Sequence, residues 1–143
     1  MEIRRISDAF SVSPQVAPGD VAALKEAGFA LIINNRPDGE EPGQPAGAQI
    51  EAAAQAAGLA YRAIPVAGGF GQDQVAQMAE ALASVDGPVF AFCRSGTRST
   101  LLWSLVKARA GDDPEDIAIA AAAAGYDVAP VRAAMDALAA ATS

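Results

Sequence analysis

The chain has 143 residues, a net charge of −7 and an apolar fraction of 52%. This composition predicts one folded domain over residues 1–143, and the negative charge argues against nucleic acid or a membrane surface as a partner. The lack of histidine excludes Ser-His-Asp and Cys-His catalysis, and the single cysteine, Cys93, excludes an internal disulfide. With no apolar leader and no membrane-length segment, we expect a cytoplasmic protein, and no metal or cofactor is implied.

Strand and helix signals alternate along the chain up to residue 93. Apolar segments predict strands at residues 3–6, 9–12, 29–33, 59–66 and 89–92. Prolines near helix starts and glycines after helix ends predict helices at residues 18–27, 49–57 and 73–84. The polar, glycine-rich and proline-rich residues 34–45 predict a loop.

Only helices are expected after residue 93, at residues 99–109, 114–124 and 130–140. The alternation before that point favours an α/β fold, with a four- or five-stranded, mainly parallel sheet flanked by helices. Segments 29–33 and 89–92 are unbroken apolar runs that need cover on both faces. We therefore expect them to be adjacent central strands.

The segment VFAFCRSGTRST, residues 89–100, carries the candidate chemistry. A buried strand ends at Cys93 and a helix begins soon after, so free backbone N–H groups should gather where anions bind in parallel sheets. The residues expected to surround an anion are Arg94, Ser95, Gly96, Thr97, Arg98 and Ser99. These basic and polar surroundings favour the thiolate of Cys93, which predicts a nucleophile assisted by Arg98. Arg94 is expected to point either into this site or outward.

The motif CRSGTRS resembles the active-site loop of the rhodanese sulfurtransferases. Four residues separate Cys93 from Arg98, and the corresponding loop of cysteine-based phosphatases has one residue more. The order of elements, in contrast, resembles dual-specificity phosphatases, with the cysteine loop after the last strand and an all-helical C-terminal third.

Nearly the whole chain is similar to a bacterial family named after the phosphatase-like domain of beta-lactamase hydrolase-like proteins. The similar stretches are VSPQ (12–15), AALKEAGFALIINNRPDGEE (22–41), IPV (64–66) and FCRSGTRSTLLW (92–103). This resemblance implies a cysteine-phosphatase-like fold. Because some members are fused to persulfide dioxygenases, it also implies a persulfide-metabolising enzyme as a possible partner.

The loop length favours sulfur transfer, in which Cys93 carries a persulfide taken from a small anionic donor such as thiosulfate or a persulfide. The first alternative is a cysteine-based phosphatase that acts on a phosphoester through a phosphocysteine. The second alternative is an anion-binding module without catalysis. A phosphatase of this kind needs an acid to protonate the leaving oxygen, and IPVAGGFGQDQ, where dual-specificity enzymes carry it, has no aspartate before Asp73.

Asp38 and Asp73 are the candidate acids, although Asp73 is also expected to begin a helix. Asp38, with Glu40 and Glu41, either reaches the site or belongs to a solvated acidic turn. Arg36 follows a predicted strand at the same end of the sheet. It is expected either to bind the anionic substrate or to order its loop through a salt bridge to Asp38 or Glu41.

Overall fold

Five short strands form one sheet in the computed structural model, which describes residues 1–142. In chain order they are β1 (Arg4–Ser7), β2 (Phe10–Ser13), β3 (Leu31–Asn34), β4 (Ala60–Ala63) and β5 (Val89–Phe92). Across the sheet the order is β1-β2-β5-β3-β4, with β1 antiparallel to β2 and every other pair parallel. The mainly parallel sheet is therefore confirmed, and β3 and β5 are adjacent inner strands as expected.

Six α-helices cover this sheet within the described residues. They are α1 (Val21–Glu26), α2 (Gly47–Ala57), α3 (Gln72–Ala83), α4 (Thr97–Arg109), α5 (Pro114–Ala123) and α6 (Arg132–Thr142). The start of α5 illustrates how local sequence sets a helix boundary. The Asp113 carboxylate accepts a hydrogen bond from the Glu115 amide at 2.9 Å, and Pro114 occupies the first turn, where no amide donor is needed.

The side chains of β5 divide the interior into two apolar clusters. Phe90 and Phe92 point to one face, where they pack with α1 and α2. Val89 and Ala91 point to the other face, where α3, α4, α5 and α6 contribute. Because alternate residues of a strand face opposite sides, an unbroken apolar strand is what a sheet covered on both faces requires.

Most predicted bounds are shifted by one or two residues, and two of the differences have a clear structural description. The strand expected at residues 59–66 is only Ala60–Ala63, and it is a half-exposed strand at the edge of the sheet. The helix expected at 99–109 begins at Thr97, because Gly96 adopts a left-handed conformation that ends the preceding loop. No helix among residues 1–142 combines the length and apolar composition that a membrane-spanning segment requires.

Candidate active site

The candidate site lies where β2, β3 and β5 end together. Ser13, Asn34 and Phe92 are paired in register across these three parallel strands. The residues that follow them therefore meet at the carboxyl edge of the sheet, which is where open α/β folds bind ligands. Cys93 follows β5 directly and lies in this position.

The loop after β5 folds back over the Cys93 thiol. Cys93 is fully buried, and its Sγ accepts a hydrogen bond from the Gly96 amide at 3.1 Å. Gly96 has a φ of +91° and precedes the first residue of α4. The sulfur therefore lies at the N-terminal end of a 13-residue helix, where backbone amides and the helix dipole favour negative charge.

Tyr126 supports this loop from the far end of the chain. Its hydroxyl donates to the Ser95 carbonyl at 3.0 Å, and Arg4 stacks over its ring at 5.3 Å from the centroid. Burial raises the pKa of the Tyr126 hydroxyl, which keeps it a hydrogen-bond donor at neutral pH. The sequence analysis missed this residue, since nothing local to residue 126 indicates contact with residue 95.

Arg98 points into the site, but its guanidinium is already hydrogen-bonded to a carboxylate. Its two terminal nitrogens donate to the two carboxylate oxygens of Glu40, each at 2.8 Å, and one of them also donates to the Val66 carbonyl at 2.8 Å. The hydrogen bonds from Arg98 and then Arg36 lower the pKa of Glu40 to about 2. The same contact with Glu40, together with the nearby Cys93, raises the pKa of Arg98 against the opposing effect of burial.

Arg36 anchors the loop that presents Glu40. Its side chain is 2% exposed and donates to Glu40 at 2.9 Å, to Glu41 at 2.8 Å and to the Gln15 side-chain oxygen at 3.1 Å. Burial lowers the pKa of Arg36, but its hydrogen bonds to Glu41 and Glu40 outweigh burial and raise it overall. Arg36 thus forms the expected salt bridge to Glu41, and each of its three guanidinium nitrogens donates a hydrogen bond, which orders the loop.

Ser99 and Asn35 form a buried polar pair behind Cys93. Both residues are 0% exposed, and the Ser99 hydroxyl donates to the Asn35 side-chain oxygen at 2.8 Å. The Asn35 side-chain nitrogen donates to the Ile64 carbonyl at 2.9 Å, and its backbone oxygen accepts from the Val66 amide at 3.0 Å. Ser99 was expected to contact an anion. Its hydroxyl instead connects α4 to Asn35, which follows β3 and in turn contacts the segment after β4. Only the backbone amide of Ser99 is left for that task.

The other predicted site residues divide between the site and its surroundings. Ser95 lies in the loop and Thr97 is the first residue of α4, with their hydroxyls hydrogen-bonded to each other at 3.0 Å. Arg94 points outward, with its side chain 68% exposed and its guanidinium 3.7 Å from Glu41. Asp38 accepts a hydrogen bond from the Gly47 amide at 2.8 Å and so caps α2.

Asp73 lies in the first turn of α3, as the sequence also suggested. It lines a groove with residues of α4 and α6, such as Leu105 and Leu138, rather than the loop around Cys93. Neither candidate acid is therefore placed to protonate a leaving group at Cys93.

The family model described as "Beta-lactamase hydrolase-like protein, phosphatase-like domain" matches residues 2–110. A beta-lactamase hydrolase-like protein of Agrobacterium fabrum is 41% identical over 112 residues, which are 78% of this chain and 26% of that protein. The chain thus spans about a quarter of the length of this curated relative.

The fold is similar to solved phosphatase structures. A candidate phosphatase of Neisseria meningitidis has a TM-score of 0.83 and 32% identity, over 96% of this chain and 99% of that one. A human DUSP28 variant has a TM-score of 0.72 at 16% identity, over 99% and 97% of the two chains. These comparisons confirm the cysteine-phosphatase-like fold and support the phosphatase alternative better than the sulfurtransferase expected first.

Proposed function

Since the chain belongs to the family of the phosphatase-like domain of beta-lactamase hydrolase-like proteins, we propose that it is a cysteine-dependent enzyme that hydrolyses phosphoesters through a phosphocysteine on Cys93. The observation that carries this proposal is the Cys93 Sγ at the N-terminal end of α4, with the Gly96 amide 3.1 Å away. Amides in this position stabilise both a thiolate and the oxygens of a bound phosphoryl group.

The proposed reaction has two steps. The Cys93 thiolate attacks phosphorus, an S–P bond forms, and the P–O bond to the leaving group breaks with its electron pair on the leaving oxygen. Water then attacks phosphorus, the S–P bond breaks, and the thiolate returns as inorganic phosphate leaves. The backbone amides of residues 94–99 and the Arg98 guanidinium stabilise the phosphoryl oxygens in both steps.

The leaving oxygen has to depart without a proton from an acidic side chain of the protein. Residues 64–71 contain neither Asp nor Glu, and Asp38 is engaged by the Gly47 amide. Glu40 lies beside Arg98, but with a pKa of about 2 it is ionised at neutral pH. We therefore propose that the substrates have leaving groups that are stable as anions once released, such as the phenolates of aryl phosphates.

Sulfane-sulfur transfer is the second candidate, and one observation favours it. The loop holds only four residues between Cys93 and Arg98, and its Gly96 amide converges on the sulfur itself. In this reaction the thiolate attacks the outer sulfur of thiosulfate, the S–S bond breaks and sulfite leaves with the electron pair. An acceptor thiolate then takes the terminal sulfur from the Cys93 persulfide, so neither step requires a proton donor.

A paired assay on one preparation separates the two candidates. We expect hydrolysis of a small aryl phosphate, and a Cys93→Ser variant should lose it entirely while keeping the wild-type circular dichroism spectrum. Thiosulfate-to-cyanide sulfur transfer is measured beside it, with intact mass spectrometry for an added phosphate or sulfur on Cys93. A persulfide adduct without aryl-phosphate turnover would overturn the phosphatase proposal in favour of sulfur transfer.

A further inference from the structure

The carboxylate of Glu40 lies where an anionic substrate would be expected to contact Arg98. Both of its oxygens accept hydrogen bonds from Arg98 at 2.8 Å, in the two-pronged geometry that guanidinium groups use for carboxylates and phosphates. A free oxyanion binding at Arg98 would use the same donors. Glu40 is therefore in direct competition with the substrate for this arginine.

Glu40 also contacts a second arginine. Arg36, which is buried, donates to it at 2.9 Å, and Gln15 and Glu41 in turn hold Arg36 in place. Because the contact between Arg36 and Glu40 does not involve Arg98, it keeps Glu40 near the site after Arg98 turns towards a substrate. The negative charge of Glu40 thus belongs to the site in both the free and the bound state.

The balance of charge around Cys93 follows from these contacts. Three arginines (Arg36, Arg94 and Arg98) are paired with two glutamates (Glu40 and Glu41), and the Cys93 thiolate of the proposed reaction cancels the remaining positive charge. A substrate with two negative charges would therefore meet no surplus of positive charge and would be repelled by Glu40 at close range. A singly charged anion is repelled less.

We propose that Glu40 determines substrate specificity by charge, so that the site accepts singly charged oxyanions in preference to doubly charged ones. This proposal rests on the anion site of the proposed function and narrows its substrate class. A phosphomonoester in its singly charged form still carries a proton on the phosphoryl group. That proton can hydrogen-bond to Glu40, and it can pass to the leaving oxygen, which receives none from the protein.

Inorganic phosphate and sulfate at about pH 5 test this proposal. They are tetrahedral anions of similar size, but below about pH 6 phosphate keeps its second proton and is mainly a monoanion, whereas sulfate is a dianion. Glu40 is ionised at this pH in the free protein, where the hydrogen bonds from Arg98 and Arg36 lower its pKa to about 2. Dissociation constants are measured by isothermal titration calorimetry at constant ionic strength, on the whole chain.

We expect the wild-type protein to bind phosphate at least as tightly as sulfate. Glu40→Gln should tighten sulfate binding about tenfold, because it removes one close negative charge, and should change phosphate binding less than about threefold. Glu80→Gln is the control. It removes an exposed carboxylate that pairs with Arg62 and with none of the arginines around Cys93, and both constants should change less than about threefold.

The outcomes separate this inference from the proposed function. Equal changes for both anions in Glu40→Gln, or no change for either, would overturn charge selection while leaving the anion site in place. Wild-type protein that binds sulfate about tenfold tighter than phosphate would overturn it without any variant. If neither anion binds the wild type or Glu40→Gln, with folding verified by circular dichroism, the anion site itself is wrong.

Discussion

At position 96, backbone conformation and available space both require glycine. Gly96 has a φ of +91°, and a Cβ atom built there would overlap the Tyr126 hydroxyl and lie 3.0 Å from its Cζ. The same hydroxyl holds the Ser95 carbonyl. The conformation of the cysteine loop is therefore fixed by a residue 30 positions downstream as well as by its own sequence.

Gly96→Ala should destabilise the protein and disturb the site together. Left-handed backbone costs a residue with a Cβ about 1–2 kcal/mol, and the overlap with Tyr126 adds to that. Gly28→Ala separates the two effects, because Gly28 has a φ of +96° with nothing within 4 Å of an added Cβ. Urea unfolding should show the larger loss for Gly96→Ala, and equal losses would contradict a role for Tyr126.

Ser99→Ala should lower the free energy of unfolding by more than the loss of one hydroxyl group suggests. The buried Asn35 side-chain oxygen would lose the donor that the Ser99 hydroxyl provides, which costs about 1–3 kcal/mol. Ser104→Ala is the control, because Ser104 is equally buried on α4 but its hydroxyl donates to the Thr100 carbonyl one turn earlier. We expect a smaller loss in the free energy of unfolding for Ser104→Ala, measured by chemical denaturation.

The sequence is most informative where the site residues are contiguous. Cys93, Gly96 and Arg98 could be predicted because a strand, a turn and a helix start follow one another within a few residues. Asn35 and Tyr126 could not, because their contacts join distant segments whose spacing carries no signal. For Glu40 the sequence left two alternatives open, and only the structure shows its carboxylate on Arg98.

Among the elements, the loop between β3 and α2 is attached to α4 through an ion pair in addition to the buried hydrogen bond between Ser99 and Asn35. Glu40 bridges Arg36 of this loop and Arg98 of α4. The contact lowers the pKa of Glu40 from 4.5 to about 2. A carboxylate with a depressed pKa in the folded state stabilises the protein above its unfolded pKa and loses that contribution as the pH falls through the folded value.

Glu40→Gln should therefore lower stability in a pH-dependent way. We expect a deficit of about 1.5–3 kcal/mol relative to wild type at neutral pH, which shrinks as the pH falls from about 4.5 towards about 2. Urea unfolding at a series of pH values measures it. Glu80→Gln removes an exposed partner of Arg62 at 3.4 Å and should show little deficit at any pH. A Glu40→Gln deficit that stays constant down to pH 3 would contradict this account.

Strand positions were predicted better than strand environments. Residues 29–33 and 89–92 were recognised as inner strands because no polar residue interrupts them. The segment 59–66 was also predicted as an apolar strand, yet it contains Arg62, and its strand is a short edge strand with exposed ends. Propensity indicates that a segment is extended, whereas its place in the sheet depends on which strands pair with it.

For the whole molecule, the C-terminal helices complete the core behind the site. The family model ends at residue 110, but Val131 and Met135 beyond it belong to the same apolar cluster as Leu102 and Leu105 of α4. Met135 is fully buried on α6. The helix that presents its N-terminus to Cys93 is thus packed against a segment outside the family's matched region.

Met135→Ala tests whether this packing matters to the whole fold. Truncation of a fully buried methionine should cost about 2–5 kcal/mol, because the cavity left behind closes only in part. Ile119→Ala removes a large apolar side chain from α5 that is 59% exposed, and it should change the free energy of unfolding by less than about 0.5 kcal/mol.

Trp103 lies on α4, stacked on Phe10 of β2 at 5.5 Å between centroids, so its fluorescence reports the core directly. If α6 is part of one cooperative unit, Trp103 fluorescence and far-ultraviolet circular dichroism should shift to the same lower denaturant midpoint in Met135→Ala. A shift in circular dichroism alone would mean that α6 unfolds separately and that the site does not depend on it.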